Sequence, residues 1–151
     1  MAPIELSSER AIDAPAQAVY GYIANMREHH PNFLPPNFSE FTVESGGTGA
    51  GTVTRFALTA GGRTRHFRTA IAEPEPGRVL TESDMDSSSV TTFTVTPKDD
   101  KSCTVRIGCR WDGASGIGGF FERTFAPRAM RSILTDELNR LNDYARAQAT
   151  V

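Results

Sequence analysis

Apolar and polar residues alternate along several short stretches of the chain, most clearly in "SCTVRIGCRW". Apolar side chains occupy every second position from Cys103 to Trp111, and polar residues or glycine lie between them. A period of two is typical of a β-strand with one buried face. The same pattern predicts seven strands, at about residues 4–12, 39–44, 52–60, 63–72, 79–84, 90–96 and 103–111.

The connections between the later strands are short and contain residues that favour turns: "SGGTGAG", "GG", "EPEPG", "DMDSSS" and "PKDDKS". Short connections join antiparallel neighbours, because a parallel pair needs a long crossover. The chain is therefore expected to form a mainly antiparallel sheet.

Helices are predicted after the first strand and at the end of the chain. In "DAPAQAVYGYIA", Asp13 is a candidate N-cap and Pro15 is tolerated in the first turn. This helix is expected to end near "NMREHHP", because Pro31 disfavours helical geometry in the residue before it. Apolar residues recur at helical spacing from about 118 to 147, and Pro127 is expected to kink or break that helix.

Composition narrows the functional classes. With 151 residues, 38% of them hydrophobic, the chain is expected to be a single domain spanning 1–151. A net charge of -2 with mixed signs argues against a nucleic-acid partner. The chain contains no apolar run long enough to span a membrane and no secretion signal at "MAPIELSSER", so a cytoplasmic location is expected. No cofactor motif emerges, and the oligomeric state stays open between monomer and homodimer.

The two cysteines, Cys103 and Cys109, lie on the same face of one predicted strand. Six residues of strand separate them by about 20 Å, which is too far for a disulfide. They are expected to be buried apolar side chains.

Four stretches carry a family resemblance: "IDAPAQAVYGYIAN", "GAGTVTRFAL", "EPEPGRVLTESD" and "GIGGFFERTFAPRAMRSILTDELNRLNDYA". Together with the order of elements, they resemble the START-like, or SRPBCC, superfamily, and its polyketide cyclase/dehydrase-like branch most of all. The resemblance implies an α+β helix-grip fold, in which a seven-stranded curved antiparallel sheet wraps around a long C-terminal helix. Two short helices would follow the first strand. It also implies an elongated apolar cavity between sheet and helix that takes small hydrophobic molecules.

The hairpin "FALTAGGRTRHFRT" assigns side chains to faces. A two-residue turn at Gly61 and Gly62 pairs Leu58 with Arg65 and Phe56 with Phe67. These four side chains, with Thr69 and Ile71, then share the concave face, and Arg55, His66 and Arg68 share the other. The same alternation turns Phe41, Val43, Phe93, Val95 and the row from Cys103 to Trp111 inward.

The orientation of Glu82 stays open between two arrangements. If Leu80 faces inward, so does Glu82, and the buried carboxylate would need a partner such as Arg65. Paired in this way, Glu82 could orient or protonate a polar group of a ligand. If Val79 and Thr81 face inward instead, Glu82 lies in solvent. The second arrangement is favoured.

Adjacent histidines stand in "REHHPNFLPPNF". His29 and His30 point in different directions, so they do not form a convergent metal-binding pair, and no metal site is expected. By the resemblance this segment lies at the rim of the cavity, where Phe33 and Leu34 would close one end. His30 either hydrogen-bonds a ligand at the mouth or is a surface or helix-capping residue, which is the commoner outcome.

Three functional classes remain. The first is a binding protein for a small hydrophobic ligand of lipid, polyketide or aromatic type. The second is a polyketide cyclase/dehydratase-like enzyme that works by shaping and a single proton transfer, with Glu82, Arg65 and His30 as candidate catalytic residues. The third is a stress-response or protein-interaction module. The expected ligand contacts are Phe33, Leu34, Phe41, Phe56, Leu58, Phe67, Phe93, Ile107, Trp111, Phe121 and Phe125.

Overall fold

The fold consists of one sheet, two α-helices and a short 3₁₀ helix. The computed structural model describes residues 3–60, 62–112 and 116–149, the last range with side chains from 127 onward. The strands are β1 (Pro3–Ile12), β2 (Phe38–Ser45), β3 (Val53–Ala60), β4 (Arg63–Glu75), β5 (Val79–Asp84), β6 (Val90–Asp99) and β7 (Ser102–Asp112). The helices are α1 (Ala16–Ala24), the 3₁₀ helix (His30–Phe33) and α2 (Gly116–Ala149).

All seven strands pair antiparallel in the order β1-β7-β6-β5-β4-β3-β2. The curved sheet and the long C-terminal helix form the helix-grip arrangement, so the predicted α+β fold is confirmed. Strands β4 and β6 each continue three residues beyond their predicted ends, through Pro74 and Pro97. The pairing register shifts at both points, between Ala72 and Glu75 and between Pro97 and Asp99. Such bulges accommodate a proline, which has no backbone N–H to donate to the hydrogen bonds between strands.

The prediction that Asp13 caps the first helix was wrong. The helix α1 begins at Ala16 with Pro15 as its N-cap, and Asp13 does not cap it. The backbone N–H of Asp13 instead donates to Oδ1 of the buried Asn142 at 2.9 Å, which ties the end of β1 to α2. The helix α2 is continuous through Pro127, which excludes a break there. One lost backbone bond is tolerated because the helix extends over 34 residues and packs along the sheet.

The hairpin between β3 and β4 has the predicted register. Leu58 pairs with Arg65 and Phe56 with Phe67. His66 lies on the outer face, with 77% of its side chain exposed. Phe93, Val95 and the cysteines are buried on the inner face, as the alternation predicted, and both cysteines are free.

The helix α2 lies mainly along β1 and buries one apolar stripe against the sheet. Thr135 and Asn139 on its flank bond Ser8 and Arg10 of β1 at 2.9 and 2.7 Å. The stripe is buried in the core together with α1; its residues are Ile133, Leu134, Leu138, Leu141 and Ala145. The C-terminal half of α2 is thereby fixed over one side of the sheet.

The packing of α2 can be tested with Leu138→Ala. Leu138 is 1% exposed, so truncation is expected to lower the free energy of unfolding by about 2–5 kcal/mol through lost burial and a cavity. Urea denaturation measures the change. Arg140→Ala, on the exposed face two residues away, is the control and is expected to stay within about 0.5 kcal/mol. Equal effects of the two substitutions would contradict this packing.

Candidate functional site

A cavity of about 330 Å³ lies between the concave face of the sheet and α2. Its wall is mainly apolar and aromatic. The apolar lining residues are Leu34, Phe38, Phe41, Phe56, Leu58, Phe67, Phe93, Trp111, Met130 and Leu134. Polar residues occupy the two ends: His30, Glu82 and Glu137 lie at the inner end, and Arg63, Arg65 and the serines of the turn between β5 and β6 lie toward the mouth.

Most predicted ligand contacts lie in this wall, including Trp111, for which a place in the core was equally expected. Two do not. Phe33 and Ile107 are completely buried in the core beneath the cavity. The ring of Phe33 packs against His30 and Tyr144, with centroid distances of 4.7 and 6.1 Å, so it supports the site and does not close one end. The side chains of Phe121 and Phe125 lie outside the described residues.

His30 is neither a surface residue nor a helix cap. It is 2% exposed, and its Nδ1 lies 2.7 Å from the carbonyl oxygen of Ile23. The chain turns back after α1, with the His30 N–H donating to the Asn25 carbonyl at 2.9 Å, and this turn directs the ring inward. Because a carbonyl only accepts, Nδ1 carries the proton and Nε2 of the neutral ring presents a lone pair to the cavity.

Glu82 faces inward, so the favoured outward arrangement was wrong. Leu80 is completely buried, and strand alternation places Glu82 on the same face, with 13% of its side chain exposed. The proposed partner was also wrong. Glu82 pairs with Ile71 on β4, six residues or about 20 Å along the strand from Arg65. The basic neighbour of Glu82 is His30, whose Nε2 lies 3.9 Å from Glu82 Oε2.

Glu137 on α2 completes this group, and the sequence analysis missed it. Its Oε2 lies 3.9 Å from the same Nε2 of His30, and the side chain is 3% exposed. The available signal was its position, three residues after Leu134 and four before Leu141, within the apolar stripe of α2. We call His30, Glu82 and Glu137 the inner cluster.

Burial controls the protonation of the inner cluster. It raises the pKa of Glu82 to about 7. Burial, followed by the nearby negative charges of Glu82 and Asp136, raises the pKa of Glu137 well above its usual range. Burial lowers the pKa of His30 to about 4, although the bond to the Ile23 carbonyl opposes the shift. At neutral pH the cluster therefore holds a neutral histidine and a Glu82 near its midpoint, and burial favours the protonated form of Glu137.

In the part of the chain whose side chains are described, residues 3–60, 62–112 and 127–149, no group of three or more His, Cys, Asp or Glu side chains could hold a metal ion. Within the same part of the chain, no helix has the length and apolar character needed to cross a membrane.

Comparison with known proteins gives a family match over nearly the whole chain. The family model described as polyketide cyclase / dehydrase and lipid transport matches residues 3–146. No curated protein matches the chain. Among solved structures, the NMR solution structure of the KanY protein is similar, with a TM-score of 0.84 and 32% sequence identity over 97% of this chain and 99% of that one.

Two further solved structures share the fold at lower identity. The protein TTHA0849 from Thermus thermophilus has a TM-score of 0.79 and 20% identity, with 96% of this chain and 99% of that one covered. The Zhui aromatase/cyclase from Streptomyces sp. R1128 has a TM-score of 0.73 and 15% identity, with 98% and 96% covered. At these identities the likeness concerns the fold alone.

Burial of the Glu82 carboxyl can be tested through the pH dependence of stability. Because its pKa rises from 4.5 to about 7, the folded protein retains a proton between those pH values that the unfolded chain has lost. The contribution of Glu82 to the free energy of unfolding therefore falls as pH rises through this window and is constant above it. Glu82→Gln is expected to remove this pH-dependent loss of stability. Relative to the parent protein, its free energy of unfolding is expected to be nearly unchanged below pH 4.5 and higher by about 3 kcal/mol above pH 7.

Urea denaturation at several pH values measures this gain. Glu9→Gln, on the exposed face of β1, is the matched control and is expected to show no comparable trend. A gain for Glu82→Gln that does not vary with pH would contradict the burial of this carboxyl.

Proposed function

This chain belongs to the polyketide cyclase / dehydrase and lipid transport family, and from that premise we propose that it binds a small hydrophobic molecule between the sheet and α2. The observation that carries the proposal is the cavity of about 330 Å³ with a mainly aromatic wall. Its volume falls in the range of about 300–1,000 Å³ that small-molecule sites occupy. An apolar space of this size gains free energy when a ligand displaces its water.

The arrangement of the rings favours a flat ligand. Phe56 stacks on Phe67 at a centroid distance of 5.3 Å, and Phe38 and Phe41 lie at 5.5 and 6.3 Å from Phe56. Aromatic rings pack well in offset and edge-to-face contacts with other rings. Within the lipid, polyketide and aromatic classes, the wall therefore suits polyketide-like or aromatic molecules best.

The turn between β5 and β6 lies at the mouth of the cavity and is held in place by hydrogen bonds. Ser88, in the turn between β5 and β6, accepts the backbone N–H of Asp112 through its Oγ at 2.8 Å. The N–H of Met85 in the same turn donates to the Arg68 carbonyl at 2.8 Å. These bonds hold the turn beside the opening, so the mouth is preorganised for entry of a ligand.

Cavity binding can be tested by filling the cavity. Thr91 lines it, whereas Thr92 is the next residue of β6 and faces the other side of the sheet. Thr91→Phe is expected to weaken binding at least ~10-fold, and Thr92→Phe is expected to leave it within about 3-fold. Fluorescence of Trp111, the sole tryptophan, and native mass spectrometry would report binding of aromatic polyketides, fatty acids and sterols.

Two results with the same ligand panel would contradict binding in the cavity. Equal weakening by Thr91→Phe and Thr92→Phe would place the ligand elsewhere on the protein. No uptake of any panel member would count against the binding function itself.

A second function, acid catalysis in the same cavity, is supported by the inner cluster. Glu82 has a pKa raised to about 7 by burial, and its oxygen faces both the cavity and His30. A carboxylic acid of this kind retains a proton at neutral pH and donates it readily to a reacting oxygen. This candidate enzyme would be polyketide cyclase/dehydratase-like, with Glu82 as the proton donor.

Catalysis predicts a separation of turnover from binding. For a bound ligand that reacts, Glu82→Gln is expected to lower kcat by at least ~100-fold, because the amide has no acidic proton to transfer, and to change KM much less than kcat. In the parent protein, kcat is expected to fall as pH rises through about 7. Product analysis by liquid chromatography measures both effects, with Glu9→Gln as the control. An unchanged kcat in Glu82→Gln would exclude Glu82 as the donor.

A further inference from the structure

One atom of the inner cluster lacks a partner that its burial requires. Within the described residues, Oε2 of Glu137 is buried and accepts no hydrogen bond. The side chain is 3% exposed, lines the cavity and belongs to a well-packed part of α2. Leaving such an acceptor unsatisfied costs about 1–3 kcal/mol. This cost is recovered if a ligand that fills the cavity brings a donor to Oε2.

The other two members of the cluster present acceptors to the same place. Nε2 of His30 presents a lone pair, since Nδ1 donates to Ile23. Oε2 of Glu82 and Oε2 of Glu137 each lie 3.9 Å from that nitrogen. This spacing is too long for a direct hydrogen bond, but an atom about 2.8 Å from His30 Nε2 and about 2.8 Å from a carboxylate oxygen spans either gap.

We propose that the inner cluster binds the protonated primary amine of an aromatic ligand, whose three N–H groups donate to His30 Nε2, Glu82 Oε2 and Glu137 Oε2. This assignment rests on the proposed binding function and adds the chemistry and orientation of the ligand. A primary ammonium carries three donors, whereas a hydroxyl carries one. Its charge also offsets the negative charge that the two carboxylates develop when they ionise.

The surroundings of the cluster favour a cation. The ring of His30 is flanked by Phe41, stacked at 6.3 Å, and by Phe93, edge-on at 5.5 Å. Aromatic faces attract a cation that has left water. Arg63 and Arg65 line the cavity toward its mouth, together with Asp84 and Asp112, so the arginines lie away from Glu82 and Glu137. The ligand is therefore expected to enter with its amine first, so that the amine reaches the inner cluster and the apolar part of the ligand packs against the phenylalanines of the cavity wall.

The amine must displace the protons that the carboxylates hold. Binding of the ammonium favours the carboxylate forms of Glu82 and Glu137, so protons that burial keeps on these groups are released to the buffer. Affinity is therefore expected to rise with pH through the titration of Glu82. Besides the cluster itself, the titratable and charged groups that line the cavity are Asp84 from β5, Cys109 and Asp112 from β7, and Arg63 and Arg65 from β4. Asp136 of α2 is near enough to raise the pKa of Glu137.

The test compares 2-(1-naphthyl)ethylamine with 2-(1-naphthyl)ethanol, which differ in the head group alone. Isothermal titration calorimetry of the full chain is expected to show at least ~10-fold tighter binding of the amine at pH 8. The preference is expected to shrink toward pH 5. Titrations in buffers of different ionisation enthalpy are expected to show proton release for the amine and none for the alcohol.

Two substitutions in the inner cluster and one control substitution test whether this cluster causes the preference for the amine. Glu137→Gln and Glu82→Gln are each expected to reduce the preference for the amine over the alcohol to less than about 3-fold. Glu40→Gln, 74% exposed on β2, is expected to retain the preference. The pH series in the parent protein tests the same assignment without any substitution.

Each contrary result has a distinct meaning. Equal affinity of amine and alcohol at pH 8, or amine binding without proton release, would overturn the head-group assignment and leave the binding function intact. The head-group assignment would also be overturned if the protein bound an aromatic polyketide, a fatty acid or a sterol but did not bind the amine. Absence of binding by every compound would overturn the proposed function as well.

Discussion

The position of α2 on the sheet is the constraint on which the rest of the structure depends. The helix is held along β1 by its apolar stripe, by two bonds to Ser8 and Arg10, and by Asn142, which receives the N–H of Asp13. From residue 127 onward the described side chains of α2 lie along that side of the curved sheet, and the concave face of β3, β4 and β5 borders the cavity. The phenylalanines of those strands therefore line a cavity. In a core of ordinary packing density, other side chains would surround them on all sides.

The same arrangement creates the polar inner end. Glu137 projects from the stripe of α2, Glu82 from the concave face of β5, and His30 from the 3₁₀ helix, so three separate elements contribute one side chain each. Burial disfavours the charged form of all three, which raises the pKa of each carboxyl and lowers that of the imidazole. A group of this kind is costly in a solid core, and its persistence beside an open apolar space links it to ligand recognition or proton transfer.

The binding and catalytic functions use the same physical feature in different ways. For binding, an acceptor-rich inner end and an aromatic wall orient an amphipathic ligand along the cavity. For catalysis, the proton that burial keeps on Glu82 becomes the reagent. Both depend on exclusion of water from the inner cluster, since a well-solvated carboxyl would titrate near its ordinary pKa and would lose both properties.

The sequence by itself determined the strands, their antiparallel pairing and the hairpin register, because these follow from local alternation and from two glycines at a turn. It also placed most of the aromatic wall, since face assignment follows from register. Only the tertiary structure decided the inner cluster. The inward turn of His30 depends on the chain path after α1, the orientation of Glu82 depends on which face Leu80 buries, and Glu137 meets them only because α2 crosses that end of the sheet. Each of these is a long-range packing outcome, and the local pattern around each residue was compatible with either result.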